Sequence, residues 1–188
     1  MRLGAAIIGS ILLGLILLCC GGCSTGSAAA SAAPPEWVHH HGGILQGAEL
    51  HRAEQAANRF VGVINNPVRV QVLASDQPAA WSWPDGQIFL TAGLIRALDD
   101  DQIVAVIGHE LGHLLRSGQA STTEALLGIK PDSDAESSAD ETCLRLLDRT
   151  ATPRSSLRTA LCNVLIRNDL SESLRAQLLM RSNQLPSR

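Results

Sequence analysis

Gly108-His109-Glu110-Leu111-Gly112-His113, followed further along by Glu136-Ser137-Ser138-Ala139-Asp140, decides how this chain is read. Ile103, Val106, Ile107, Leu111 and Leu114 recur around the first stretch at helical spacing. Asp100 or Asp101 can cap its start, and Ser117-Gly118 supplies a stop, so a helix is expected over about 101–116. Residues four apart lie one turn above each other on the same helical face. His109 and His113 can therefore share one zinc ion at about 2.0–2.1 Å each. Glu110, beside the first histidine, is placed to take a proton from a zinc-bound water. A catalytic zinc needs a third protein ligand and an open position. Glu136 is the best candidate for that ligand, and the set predicts a zinc peptidase. Two histidines and a glutamate buried on one helix without such partners would be destabilising.

The chain has 188 residues and a formal net charge of −3, which gives no footprint for nucleic acid. Met1-Arg2 followed by the apolar run Leu3 to Leu18 fits a secretory signal better than a spanning helix. It ends in Cys19-Cys20-Gly21-Gly22-Cys23, which resembles the lipobox of bacterial lipoproteins. Residues 1–22 are therefore expected to be a signal peptide and Cys23 the lipidated first residue, with Cys20 as the alternative and an uncleaved anchor as the rival. Residues 23–36, rich in Ser, Ala and Pro, predict a flexible tether. Residues 37–188 form the expected domain, lipid-anchored to a membrane and facing the periplasm or exterior. Cys143 and Cys162 lie equidistant from Thr152-Pro153, so a disulfide across a helical hairpin is one possibility and two buried thiols the other.

Leu50, Ala53, Ala57, Phe60, Val61 and Ile64 make one helical stripe within residues 45–64. Val68 to Ala74 alternates as a half-buried strand, and 79–83 and 86–91 predict two more around Pro84-Asp85-Gly86. Helices are expected at about 92–98, 134–149, 155–167 and 170–182. The order predicts an α+β, zincin-like fold with a small sheet and a helical C-terminal half. Trp81 and Trp83 point to one side of their strand, as core or as a wall for substrate side chains. Ser133 can cap the helix carrying Glu136, and Gly108 and Gly112 suit close packing of another backbone beside the site.

The run from Ala79 to His113 is similar to the HtpX- and BepA-like gluzincin metallopeptidases. In that family a Pro-Gly-Gly-x-Ile-Phe-type strand leads into a Thr-Gly-Leu helix start, here Pro84-Asp85-Gly86-Gln87-Ile88-Phe89 and Ala92-Gly93-Leu94. The family's E-x-x-A-D signature stands at Glu136-Ser137-Ser138-Ala139-Asp140. The resemblance, over roughly residues 45–150, implies Zn2+ held by His109, His113 and Glu136, Glu110 as base, and Asp140 behind the ligands. It also implies that the strand from Gln87 to Leu90 is the edge strand beside the zinc, with Gln87, Ile88 and Phe89 binding a polypeptide substrate. The implied activity is an endopeptidase acting on unfolded or misassembled envelope proteins. Ala79-Ala80 stands where the family has Asn-Ala, and for the family's later His-Pro segment before an Arg the chain offers only Thr152-Pro153 with Arg158, too soon after the Glu136 helix, and Leu185-Pro186 at its end. The chain contains no Tyr, so the oxyanion falls to Arg158, Arg167, Arg175 or Arg181 if these are not surface residues.

Two readings of another class compete. One is a chaperone-like or substrate-presenting lipoprotein that keeps the fold with little hydrolysis. The other is a metal-buffering lipoprotein that adds His39-His40-His41 to the helix site. Neither needs a carboxylate at Glu110.

Overall fold

The computed structural model describes residues 32–83, 85–117, 133–166 and 170–187. The expected leader with Cys20 and Cys23, residues 118–132 and Arg167 lie outside the described residues. The elements run α1 (Pro35–His40), β1 (Ile44–Leu45), α2 (Ala48–Asn58), β2 (Arg69–Leu73), β3 (Ala80–Ser82), β4 (Gln87–Thr91), α3 (Ala92–Ala97), α4 (Asp100–Ser117), α5 (Ser133–Arg149), α6 (Ser155–Leu165) and α7 (Glu172–Gln184). The result is a mixed α+β fold with one small sheet. Among the described residues no helix is long and apolar enough to cross a membrane.

The sheet has the order β1-β2-β4-β3. β2 and β4 pair in parallel, with Val72 opposite Leu90, while β3 pairs antiparallel to β4, with Trp81 opposite Phe89. Successive strand residues point to opposite faces. Val72, Ile88 and Leu90 therefore enter the main core with Ala53, Phe60, Ile103, Ile107 and Leu147, between sheet and helices. Leu73, Trp83 and Phe89 face the other way and are covered by Trp37 of α1, with Trp81 at their side. α1, absent from the expected elements, is held there by aromatic packing: Trp37 lies 4.8 Å from Trp83 and 5.2 Å from Trp81, centroid to centroid.

Several boundaries depart from expectation. The helix expected over 45–64 is confined to α2, because Leu45 pairs with Val72 in the sheet and Gly62 turns the chain at φ 75°. Val61, expected on the buried stripe, is exposed. Asp99, rather than Asp100 or Asp101, caps α4: its Oδ1 accepts from Gln102 N at 2.8 Å while Gln102 Oε1 accepts from Asp99 N at 3.2 Å. Asp100 and Asp101 instead pair with Arg52 and Arg59, both at 2.6 Å.

The Cys143–Cys162 bridge does not form; both are free thiols. α6 packs against α4 and α7 rather than folding back along α5, so equal distance from the turn does not bring the two together. Cys143 is fully buried, its Sγ donating to Ala105 O at 3.2 Å, and burial pushes its thiol pKa up.

The helix pair that matters most is α4 with α5. A Cβ on Gly112 would come within 2.6 Å of Ala139 O and 2.8 Å of Ala139 Cα. Only a residue without a side chain lets the two backbones approach this closely. That approach brings the carboxylates of α5 to the histidines of α4.

Candidate metal centre

α4 presents His109, Glu110 and His113, and α5 presents Glu136 and Asp140 one turn apart. His109 Nε2 lies 3.0 Å from His113 Nε2 and 3.3 Å from Glu136 Oε2, and His113 Nε2 lies 3.4 Å from Glu136 Oε1. Donors placed 2.0–2.2 Å from a tetrahedral zinc stand about 3.3–3.6 Å apart. The three groups therefore have the chemistry and nearly the spacing of a three-ligand centre, and they are the one such set of His, Cys, Asp and Glu found among the described residues.

Asp140 closes the back of this set. Its Oδ1 lies 2.8 Å from His109 Nδ1, so the imidazole donates through Nδ1 and turns its Nε2 toward His113 and Glu136. His109, Glu110 and Asp140 are all buried. Burial disfavours a charged His109, but the hydrogen bonds with Asp140 and then Glu136 overcome it and push the pKa up to about 9 in the absence of metal. Burial works against an ionised Glu136 as well, yet its bonds to His109 and His113 and the Arg181 charge hold it far below the usual carboxylate range. Asp140 is lowered in the same way, against burial, by His109 and Arg181.

Arg181 of α7 is not a surface arginine. Its Nη2 and Nε donate to Asp140 Oδ1 and Oδ2 at 2.6 and 3.1 Å, and its Nη1 lies 2.7 Å from Glu136 Oε2. Sequence spacing carries no signal of this, because the contact joins helices far apart in the chain. Arg158 and Arg175 serve backbone instead, donating to Ser182 O at 3.0 Å and Leu165 O at 2.7 Å. The side chain of Ser133 lies outside the described residues, and Glu136 is committed to the histidines rather than to a capping box.

The expected substrate strand is corrected. Gln87, Ile88 and Phe89 belong to β4, which has β2 on one side and β3 on the other, and Ile88 and Phe89 are buried. A strand paired on both sides has no backbone groups left for another chain. Among the described residues the edge strands are β1 and β3, and β3 packs beside α4. His39 and His40 end α1, and His41 Nδ1 bonds Trp37 O at 2.8 Å, so the histidine tract is not joined to the helix site.

Residues 45–130 match the sequence profile of Peptidase family M48. The protein described as "Protease HtpX homolog" from Thermoplasma acidophilum is 33% identical over 85 residues, covering 39% of this chain and 27% of that protein. The chain thus spans about a quarter of the length of that relative. The profile match takes in His109, Glu110 and His113 and stops before Glu136 and Asp140, which reach the site through the packing of α5 on α4. M48 peptidases are metal-dependent, and two members of the His-His-Glu set capable of holding a metal, His109 and His113, lie within the matched residues; together these support a likeness to the HtpX-like metallopeptidases.

Proposed function

We propose that this chain is a zinc-dependent endopeptidase of the gluzincin type, with a zincin-like domain. The observation that carries this is the triangle of His109, His113 and Glu136 donors with Glu110 adjacent in sequence. These three side chains would hold Zn2+, which supplies Lewis acidity and acidifies a water to a pKa of about 7. Glu110 would accept a proton from a water so activated as its oxygen adds to the scissile carbonyl carbon. The same carboxyl would then pass the proton to the leaving nitrogen as the C–N bond breaks, and with the second water proton also moving to that nitrogen the products are one carboxylate and one ammonium. Asp140 keeps His109 in the tautomer that turns Nε2 toward the metal.

The substrate is a polypeptide in extended form. Among the described residues β3 is the edge strand beside α4, so a substrate strand adds there through backbone hydrogen bonds. Such pairing makes little demand on sequence, which suits unfolded or misassembled proteins. Residues 1–22 act as a lipoprotein signal, Cys23 carries the lipid, and the domain works at the cell envelope on the periplasmic or outer side. The support is the apolar run ending in Gly21-Gly22-Cys23.

The test is cleavage of an unfolded protein by the full chain with zinc, beside Glu110→Gln, with bound metal measured in both. Activity in the parent alone, with zinc in both, is the expected result. Equal cleavage by both proteins would remove Glu110 as base and with it this mechanism.

A further inference from the structure

Nothing in the family match reaches α7, yet α7 supplies the cation of the site. We propose that Arg181 is a positioning residue for the metal centre: a single guanidinium that fixes Glu136 and Asp140 together and makes α7 a working part of the site. This rests on the metal-centre reading above.

The geometry uses the whole fork. Nε and Nη2 take both oxygens of Asp140, at 3.1 and 2.6 Å, and Nη1 takes Oε2 of Glu136 at 2.7 Å. A guanidinium is planar with its donors at fixed angles, so holding Asp140 bidentately also sets where Glu136 is held. A lysine ammonium offers one point of charge and cannot span both carboxylates in that way. The result reaches both kinds of group at the centre: Glu136 faces the two histidines directly, and Asp140 sets the tautomer of His109. Nη2 also lies 3.2 and 3.4 Å from the two ring nitrogens of His109.

α7 is seated firmly enough to do this. Leu178 and Leu185 are buried in the main core on either side of Arg181. Arg158 of α6 donates to the carbonyl of Ser182, the next residue, at 3.0 Å, and Ser182 is itself buried. The Arg181 side chain is 17% exposed against 10% for Asp140, so the pair is largely withdrawn from water, where directional charged hydrogen bonds hold position best.

The experiment compares the full chain with Arg181→Met, Arg181→Lys and His113→Ala. Zinc affinity is titrated against a competing chelator, and the visible absorption of the Co2+-loaded proteins reports the geometry of the ligands. Arg181→Met should bind zinc about 10–100-fold more weakly, as removal of groups that orient metal ligands does, with an altered cobalt spectrum. Arg181→Lys keeps the charge and decides the matter if the methionine variant does not fold. It should recover less than half of the lost affinity on a logarithmic scale and keep the altered spectrum. Parent-like affinity and spectrum in Arg181→Lys would overturn the proposal. So would tighter zinc binding by Arg181→Met, since the guanidinium would then be competing for Glu136 rather than orienting it. His113→Ala separates the two levels: if it binds zinc as the parent does, the metal centre itself is misassigned.

Discussion

Gly112→Ala tests how the site is assembled, because the added methyl falls between the two helices that bring the ligands together. The new Cβ would stand 2.6 Å from Ala139 O and 2.8 Å from Ala139 Cα. Real Cβ contacts essentially never fall below 3.0 Å, so the backbones must part by at least about 0.4 Å. The obstacle is backbone on both sides, and no side-chain rotation relieves it. Overpacking of this kind costs about 1–3 kcal/mol, while replacing Gly by Ala inside a helix returns up to about 1 kcal/mol. The net loss is therefore about 0–3 kcal/mol. The effect on the metal should be larger, because Glu136 and Asp140 flank Ala139 on the displaced helix. We expect zinc affinity to fall by about tenfold or more, as for other losses of ligand orientation. Gly108→Ala is the matched control: its Cβ would meet Cys143 Sγ at 3.2 Å and the edge of the Phe60 ring at 3.5 Å, side-chain atoms that can shift. It should keep parent affinity and melt at or near the parent temperature. Thermal melts with and without zinc, and chelator competition, read both quantities. Parent-like zinc binding by Gly112→Ala, or equal losses in the two variants, would refute the dependence of the site on this close approach.

Asp140→Asn should weaken zinc binding about 10–100-fold, since a neutral amide orients His109 less firmly than a carboxylate; chelator competition measures it. In the metal-free protein, the pKa of His109 raised from 6.5 to about 9 stabilises the fold fully below pH 6.5, and that contribution is lost as pH rises through about 9. Apo-protein melts between pH 6 and 10 should show that decline, whereas zinc affinity should climb over the same interval because bound imidazole must be neutral. Trp37→Ala removes the ring that α1 packs against Trp81, Trp83 and Phe89, so residues near α1 should become sensitive to limited proteolysis while zinc affinity stays within about twofold of the parent.

The helix of the histidines was legible because its cause is local. Apolar spacing from Ile103 to Leu114 sets the face, and two histidines four apart fall on one side of any helix. β2 was legible for a similar reason, as alternation of Val with Arg and Gln shows one half-buried face, and β3 and β4 were legible as short runs on either side of Pro84-Asp85-Gly86. Their order in the sheet was not. Gln87, Ile88 and Phe89 read as an edge strand by resemblance, yet β3 pairs outside them, and no local pattern distinguishes an edge strand from its neighbour when both are short and apolar. α1 was missed because six residues carry too little periodicity, and its place depends on Trp37 finding the aromatic face of a sheet formed later in the chain.

The sequence by itself determined which residue types could hold a metal, since the identities and spacing of His109, Glu110, His113 and the Glu136-to-Asp140 pair follow from chemistry within one or two helical turns. The tertiary structure decided that these turns meet and what holds them. Gly112 permits the meeting by having no side chain, and Arg181 joins it from a helix with no local relation to either motif. Contacts of that kind depend on how the whole core closes, and the spacing of residues along the chain contains no measure of it.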